Sequence, residues 1–379
     1  MRAFPSRVLV ERAAAGDPLV ATLERNMPRA VFRVVEELER ATRMDPDVLE
    51  VVRFRGRFLK PCPGTRHYCC CGYRILHFGT QCTLGCTYCV LQAYLNHPNL
   101  RLFSNTDEML GELERTLAAH PRHLFRIGTG EFTDSLLLDP CTGLSPSLVN
   151  AFAGRSNAVL ELKTKTDFIE NLEGVDHGGN TLLAWSLNAP SVCRREESRA
   201  AGLQRRLDAA RSAQEWGYFL AFHFDPMIHH PGWREGYGEV LDRLFEAVDP
   251  SRVVWISLGA LRFMPELGRI MRARHPRSPL PYGEFVRGLD DKMRYFRDIR
   301  VELYRFMVER IRTADPELCV YLCMEGLDVW REAFGFSPDE GGGLPAMLDR
   351  AVKDRMGVGR DCPFSADDLE REDEERMVR

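Results

Sequence analysis

Thr80-Gln-Cys-Thr-Leu-Gly-Cys-Thr-Tyr-Cys-Val-Leu-Gln92 sets three cysteines, Cys82, Cys86 and Cys89, in the spacing Cys-x3-Cys-x2-Cys. Three thiolates so placed wrap one corner of a four-iron cubane and leave the fourth iron open to a cofactor or substrate. The competing reading is structural zinc, which closes with a fourth Cys or His at short range. His97 lies eight residues beyond Cys89 and is followed by Pro98, so the set is incomplete for zinc. A zinc-binding interaction protein without catalysis is the alternative to an enzyme.

Composition sets the frame around this motif. The chain has 379 residues, 44% of them hydrophobic, which suffices for one large core or two moderate ones. No apolar run is long enough to span a bilayer, and Arg2, Arg7, Glu11 and Arg12 interrupt any leader at the start, so a cytoplasmic protein with no membrane partner is expected. Twelve cysteines, with Cys69, Cys70 and Cys71 adjacent, suit a reducing compartment. A formal net charge of -4 gives no global attraction for phosphate backbones.

Outward from the motif, residues 1–73 read as an N-terminal extension with a helix near Arg29 to Thr42, where Val31, Val34, Val35 and Leu38 recur at helical spacing. From Arg74, short apolar runs alternate with helical patterns, the signature of βα units on a parallel sheet. Six strands are expected, at 75–78, 124–128, 159–163, 182–187, 219–224 and 253–258, with Cys319 to Cys323 closing or flanking the sheet. Long helices are expected over Arg194 to Trp216 and Val286 to Ile311. Residues 74–326 form this unit; 327–379 are a C-terminal helical segment whose charged end begins at Asp367.

In a parallel barrel, residues just after each strand gather at one face. Gly128 and Gly130 let backbone approach a ligand there, and Glu131 can accept from an ammonium group. Lys163 and Lys165 can meet a carboxylate, and Ser186 and Asn188 share a strand face suited to ribose hydroxyls. His229-His230 suggests metal, but neighbours seldom ligate one ion, and a loop-organising role fits as well. The same objection applies to a second metal on Cys62, Cys69, Cys70 and Cys71.

The cysteine motif resembles that of the radical S-adenosylmethionine (SAM) superfamily, whose open iron binds SAM and in which an aromatic such as Tyr88 lies near the adenine. Together with Thr164-Lys165, Ser186-Leu-Asn188 and Pro226-Met-Ile-His-His-Pro-Gly-Trp-Arg-Glu-Gly-Tyr237, the chain from Arg74 to Gly326 resembles the spore photoproduct lyase family. The resemblance implies a partial (β/α)6 TIM-type barrel, a 4Fe-4S cluster on Cys82, Cys86 and Cys89, and SAM on the open iron. It assigns Glu131 to the methionine amino group, Lys165 to its carboxylate, and Ser186 and Asn188 to the ribose. It further implies a 5'-deoxyadenosyl radical that takes hydrogen from a DNA pyrimidine lesion or other nucleobase, and an electron donor such as flavodoxin or ferredoxin. A peptide or small metabolite is the alternative substrate.

Two positions depart from the family. Its hydrogen-donating cysteine is replaced by Phe132, leaving Cys141 as a candidate donor. Its second tyrosine, after the third cluster cysteine, is Val90, while Tyr88 is kept as a catalytic candidate. The family's DNA-gripping hairpin is not evident between Arg272 and Arg294, which reads as an irregular loop, although Arg272, Arg274, Arg277 and Arg287 leave phosphate contact open.

Overall fold

The structure, a computed structural model, describes residues 4–363 except 40, 42 and 66. The chain opens with β1 (Arg7–Glu11), α1 (Pro18–Asn26), β2 (Val31–Val35) and β3 (Val48–Val52), followed by β4 (Leu59–Pro61), β5 (Arg74–Leu76) and β6 (Gly79–Thr80). The cysteine loop leads into α2 (Leu91–Tyr94), β7 (Leu100–Phe103) and α3 (Thr106–Ala119). Then come β8 (Phe125–Gly128), α4 (Asp139–Thr142), α5 (Leu144–Phe152), β9 (Ala158–Thr164), β10 (Thr181–Ser186), α6 (Pro190–Glu196) and α7 (Leu203–Glu215). The remainder is β11 (Phe219–Met227), α8 (Trp233–Ala247), β12 (Val253–Ala260), β13 (Arg262–Phe263), α9 (Pro265–Arg274), β14 (Val286–Arg287), β15 (Met293–Arg294), α10 (Arg297–Ala314), β16 (Cys319–Leu322), α11 (Leu327–Phe334) and α12 (Gly343–Met356).

Two sheets carry the molecule. The larger, in order β16-β12-β11-β10-β9-β8-β5-β4, is parallel except where β4 pairs with β5, and it forms the partial barrel. All six strands expected from the apolar runs are present, and the seventh run is β16 beside β12. Their residues are buried on both faces, as covered parallel strands require, so they read as continuous apolar runs. The C-terminal helix α12 is locked onto β8 by an ion pair between Arg126 and Asp349, both almost fully buried.

The smaller sheet, β2-β1-β3-β7-β6, changes the reading of the first third of the chain. The helix expected at 29–42 is instead an edge strand: Val31, Val34 and Val35 are β-branched, and β1 supplies the parallel backbone partner that fixes them as β2. The helix expected from Arg194 breaks after Glu196, because residues 197–202 turn inward to meet the cysteine loop. The helix expected from Val286 starts only at Arg297. Before it, β13, β15 and β14 form an antiparallel sheet, so the stretch read as an irregular loop contains a hairpin. The charged end expected from Asp367 lies outside the described residues.

The two sheets meet around His77. Its ring lies 5.3 Å from Phe54, 4.9 Å from Phe103 and 4.9 Å from Phe132, and neither ring nitrogen has a partner. Burial, reinforced by Lys60, lowers its pKa to about 4. The stability gained by keeping it neutral is present above the unfolded value of about 6.5 and is lost as pH falls through about 4. His77→Phe keeps the ring packing and removes two unpaired polar atoms, so it is expected to raise the melting temperature, more at pH 5 than at pH 8. An unchanged pH slope would place the acid-sensitive group elsewhere.

Candidate functional site

The cysteine loop hangs between the sheets, with β6 at one end and β7 near the other. Gln81 enters the left-handed region at φ 72°, its amide donates to the Phe132 carbonyl at 2.8 Å, and its side chain donates to the His97 carbonyl at 2.7 Å. Gln92 donates to the carbonyls of Cys86 (3.1 Å) and Thr87 (3.0 Å). On the inner side, the Thr87 amide donates to Glu196 and the Arg199 amide to Leu84. Cys86 is buried, and Cys82 and Cys89 are half-buried; burial raises all three thiols above their ordinary range.

Three soft donors on one rigid loop fit three corners of an iron-sulfur cubane. His97 does not complete a zinc set: its Nε2 is bonded to the Thr80 hydroxyl at 2.9 Å. Among the described residues no three His, Cys, Asp or Glu groups converge as ligands of a single ion.

A buried charge network backs the loop. Glu197, 4% exposed, accepts from Tyr88 Oη, from Lys165 Nζ at 2.9 Å and from Arg206. Lys165 also donates to Tyr88 Oη at 3.0 Å. Arg206 donates to the carbonyls of Ala201 (2.7 Å) and Ser186 (2.8 Å), tying α7 to the end of β10. Burial opposes the charge on Glu197, yet Lys165 and Arg206 hold it ionised, well below the usual carboxylate range. Two buried cations thus share one carboxylate, leaving positive charge beside Cys86.

Inside the barrel a second set converges from separate strands. Glu161 accepts from Tyr73 Oη at 2.7 Å and Trp255 Nε1 at 3.3 Å, and pairs with His223 Nε2 at 2.6 Å. Its pKa falls to about 2, burial being outweighed by His223 and the other partners. Lys163 is ion-paired to Glu131, and Arg262 holds Asp225 through two bonds, at 2.9 and 3.1 Å, while touching Cys323 Sγ at 3.3 Å.

Gly128 and Gly130 also have packing reasons. A Cβ on Gly128 would fall 1.5 Å from Tyr73 Oη, and one on Gly130 2.9 Å from Lys163 Cβ.

Other expected site residues separate into three groups. Ser186 is buried at the end of β10, close to the network. Asn188 is bonded within the protein: its Nδ2 donates to Pro226 O (2.8 Å) and its Oδ1 accepts from Tyr237 Oη (2.7 Å), which fixes the β11 loop. Cys141 sits apart from these residues. It is 2% exposed on α4, packed under α1 with its carbonyl accepting from Asn26, and does not face the cysteine loop.

His229 and His230 pack among Trp233, Tyr237 and Tyr295, in agreement with a loop-organising role. Phe132 stacks on Tyr94 with ring centroids 5.9 Å apart, directly beside the cysteine loop. Cys62, Cys71 and Cys323 lie close to one another, Cys62 and Cys71 also to Cys70; Cys62, pushed up to about 12 by burial, also feels Glu131 and Lys163.

Sequence reasoning missed Glu197, Arg206, Tyr73 and Arg262. It missed Glu161 too, although a carboxylate inside the apolar run of β9 was a signal for it; nothing local marked Arg206, whose helix reads as a charged surface.

The family model described as spore photoproduct lyase matches residues 69–301. A spore photoproduct lyase of Bacillus subtilis is 26% identical over 210 residues, 55% of this chain and 61% of that protein; one from a Geobacillus strain is 27% identical over 212 residues, 55% and 62%. The matched region thus spans about three fifths of these curated relatives. A solved spore photoproduct lyase variant with bound AdoMet and dinucleoside spore photoproduct superposes at a TM-score of 0.75, with 22% identity over 85% of this chain and 100% of that one.

Proposed function

The chain belongs to the spore photoproduct lyase family, and from that premise we propose that it is a radical SAM enzyme acting on a pyrimidine lesion or related nucleobase. The observation that carries the proposal is the cysteine loop: three thiols with no fourth ligand among the described residues, backed by Lys165 and Arg206, which share one carboxylate. A 4Fe-4S cluster with SAM on its open iron would supply one-electron cleavage of SAM and a 5'-deoxyadenosyl radical. Cys82, Cys86 and Cys89 would hold the cluster.

Lys165 is the proposed partner of the SAM carboxylate, because the positive charge shared with Arg206 exceeds what Glu197 neutralises. Glu131, which shares Lys163, is the proposed partner of the amino group. Tyr88 fixes the loop next to the adenine position through Glu197, and Ser186 is left as the ribose contact. A dinucleoside lesion, the ligand named for the solved relatives, is the first substrate to try.

Phe132 has no readily transferable hydrogen, so the hydrogen returned to the product radical must come from another group. The thiols of Cys62 and Cys323 share the barrel interior with Glu131 and are the proposed source. The hairpin is a poor phosphate grip, since Arg287 pairs with Asp291, Arg294 and Lys292 pair with Asp290, and its tip presents Leu289, 73% exposed. Recognition of base faces through apolar contact is the reading this supports.

The test is anaerobic reconstitution with iron and sulfide, then dithionite, SAM and the dinucleoside spore photoproduct. Formation of 5'-deoxyadenosine and two thymidine units is expected. A stable brown cluster that cleaves SAM but leaves the lesion intact would move the substrate to a peptide or small metabolite.

A further inference from the structure

Helix α2 begins directly behind Cys89, and α9 packs against it. The surface at this junction has an unusual composition. Val90 and Tyr94 are 46% and 52% exposed, large apolar side chains within five residues of a cluster cysteine. Around them, α9 and the loop after it, Pro265 to Gly283, contain four arginines, Arg269, Arg272, Arg274 and Arg277, one histidine and a single acid, Glu266. All four arginines are exposed. None of the four forms an ion pair among the described residues, so their charge is free to act on a partner.

The patch is wired to the cysteine loop. Arg274 Nη1 donates to Gln92 Oε1 at 3.3 Å, and Gln92 donates in turn to the Cys86 and Thr87 carbonyls. Behind it lies a cavity of about 460 Å3 lined by Gln81, Gln92, Asn96, His97 and Arg274. His97 Nδ1 is buried there without a partner.

An apolar centre rimmed by predominantly positive charge, four arginines against Glu266, is the anatomy of a transient protein docking surface. On a chain of formal charge -4, it selects an acidic partner by a local field rather than a global one. We propose that the α2–α9 surface docks an acidic one-electron carrier protein of the flavin or iron-sulfur class. This rests on the function proposed above: the carrier loses one electron, the cluster held by Cys82, Cys86 and Cys89 gains it, and no proton or group is transferred. Nucleic acid would also be drawn to the arginines, but the one bonded link, from Arg274 to Gln92, runs to the cysteine loop and not to the strand ends where a lesion would be handled.

The test compares the full chain, reconstituted anaerobically, with its Arg269→Glu/Arg272→Glu/Arg277→Glu variant, using a bacterial flavodoxin as the probe. Flavodoxin affinity by titration calorimetry at low salt should fall about tenfold or more, as should the rate at which reduced flavodoxin bleaches the cluster. Bleaching by dithionite, which needs no docking, should be unchanged. Equal flavodoxin affinity in the two chains overturns the proposal, as does an equal slowing with dithionite. Lost oligonucleotide binding with flavodoxin affinity intact would also overturn it, reassigning the patch to nucleic acid. If no cluster forms in the unaltered chain, the radical SAM reading fails on its own, and the two flavodoxin affinities still decide the docking surface.

Discussion

Alanine at Cys82, Cys86 or Cys89 is expected to yield a folded chain that stays colourless after anaerobic reconstitution and forms no detectable 5'-deoxyadenosine. Each thiolate would supply the only protein ligand of one iron, so removing any one leaves an iron with no protein sulfur. The other thiols cannot substitute. Cys62 and Cys323 lie beside Glu131 in the barrel, Cys141 lies under α1, and Cys193 is buried on α6 with its Sγ bonded to the Asn188 carbonyl at 3.3 Å. Folding should survive, because a cysteine side chain is small and the loop is held by backbone bonds from Gln81, Thr87 and Gln92 that the substitution leaves intact.

Activity should therefore drop by at least about a thousandfold, while the circular dichroism stays that of the parent. Cys69→Ala and Cys141→Ala are the matched controls and should reconstitute normally. Full iron content in Cys86→Ala would remove the loop from the cluster. A colourless parent carrying tightly bound zinc would restore the interaction-protein alternative.

The sequence disclosed the barrel because its strands are buried on both faces, so each appears as an unbroken apolar run with a boundary at either end. The cysteine loop was legible because all three donors lie within eight residues. The first sheet was not, because Val31, Val34 and Val35 satisfy a helical period and an edge strand equally well, and only the distant β1 decides between them. Two-residue strands such as β14 and β15 are too short to leave any period at all. Gly128 and Gly130 were visible but their causes were not, since these lie in Tyr73, more than fifty residues earlier, and in Lys163 on the next strand. The charge network was hidden for the same reason. Lys165 reads as a solvated lysine until Glu197 and Arg206 are brought to it by the break between α6 and α7.

That network carries the second large expectation: Glu197→Gln should destabilise the fold by about 3 kcal/mol or more and, with it, lower the yield of reconstituted cluster. The amide keeps the shape of the carboxylate but not its charge, so Lys165 and Arg206 become two buried cations with nothing between them. Arg206→Met should cost less, because Lys165 and Glu197 remain a balanced pair and the main loss is the bonds to Ala201 and Ser186. The double variant should cost less than the sum, since removing Arg206 relieves half of the repulsion that Glu197→Gln creates.

The pH dependence has a definite sign. Glu197 is held below its ordinary range, so its contribution is present above about pH 4.5 and is lost as pH falls through its depressed value. Glu197→Gln should therefore flatten the acid limb of the stability profile as well as lower its plateau. Denaturant midpoints at pH 7 and pH 4 for the four chains of this cycle provide the measurement. Strict additivity of the two substitutions would mean that Glu197 and Arg206 do not share the charge, and the excess positive potential proposed beside Cys86 would lose its basis.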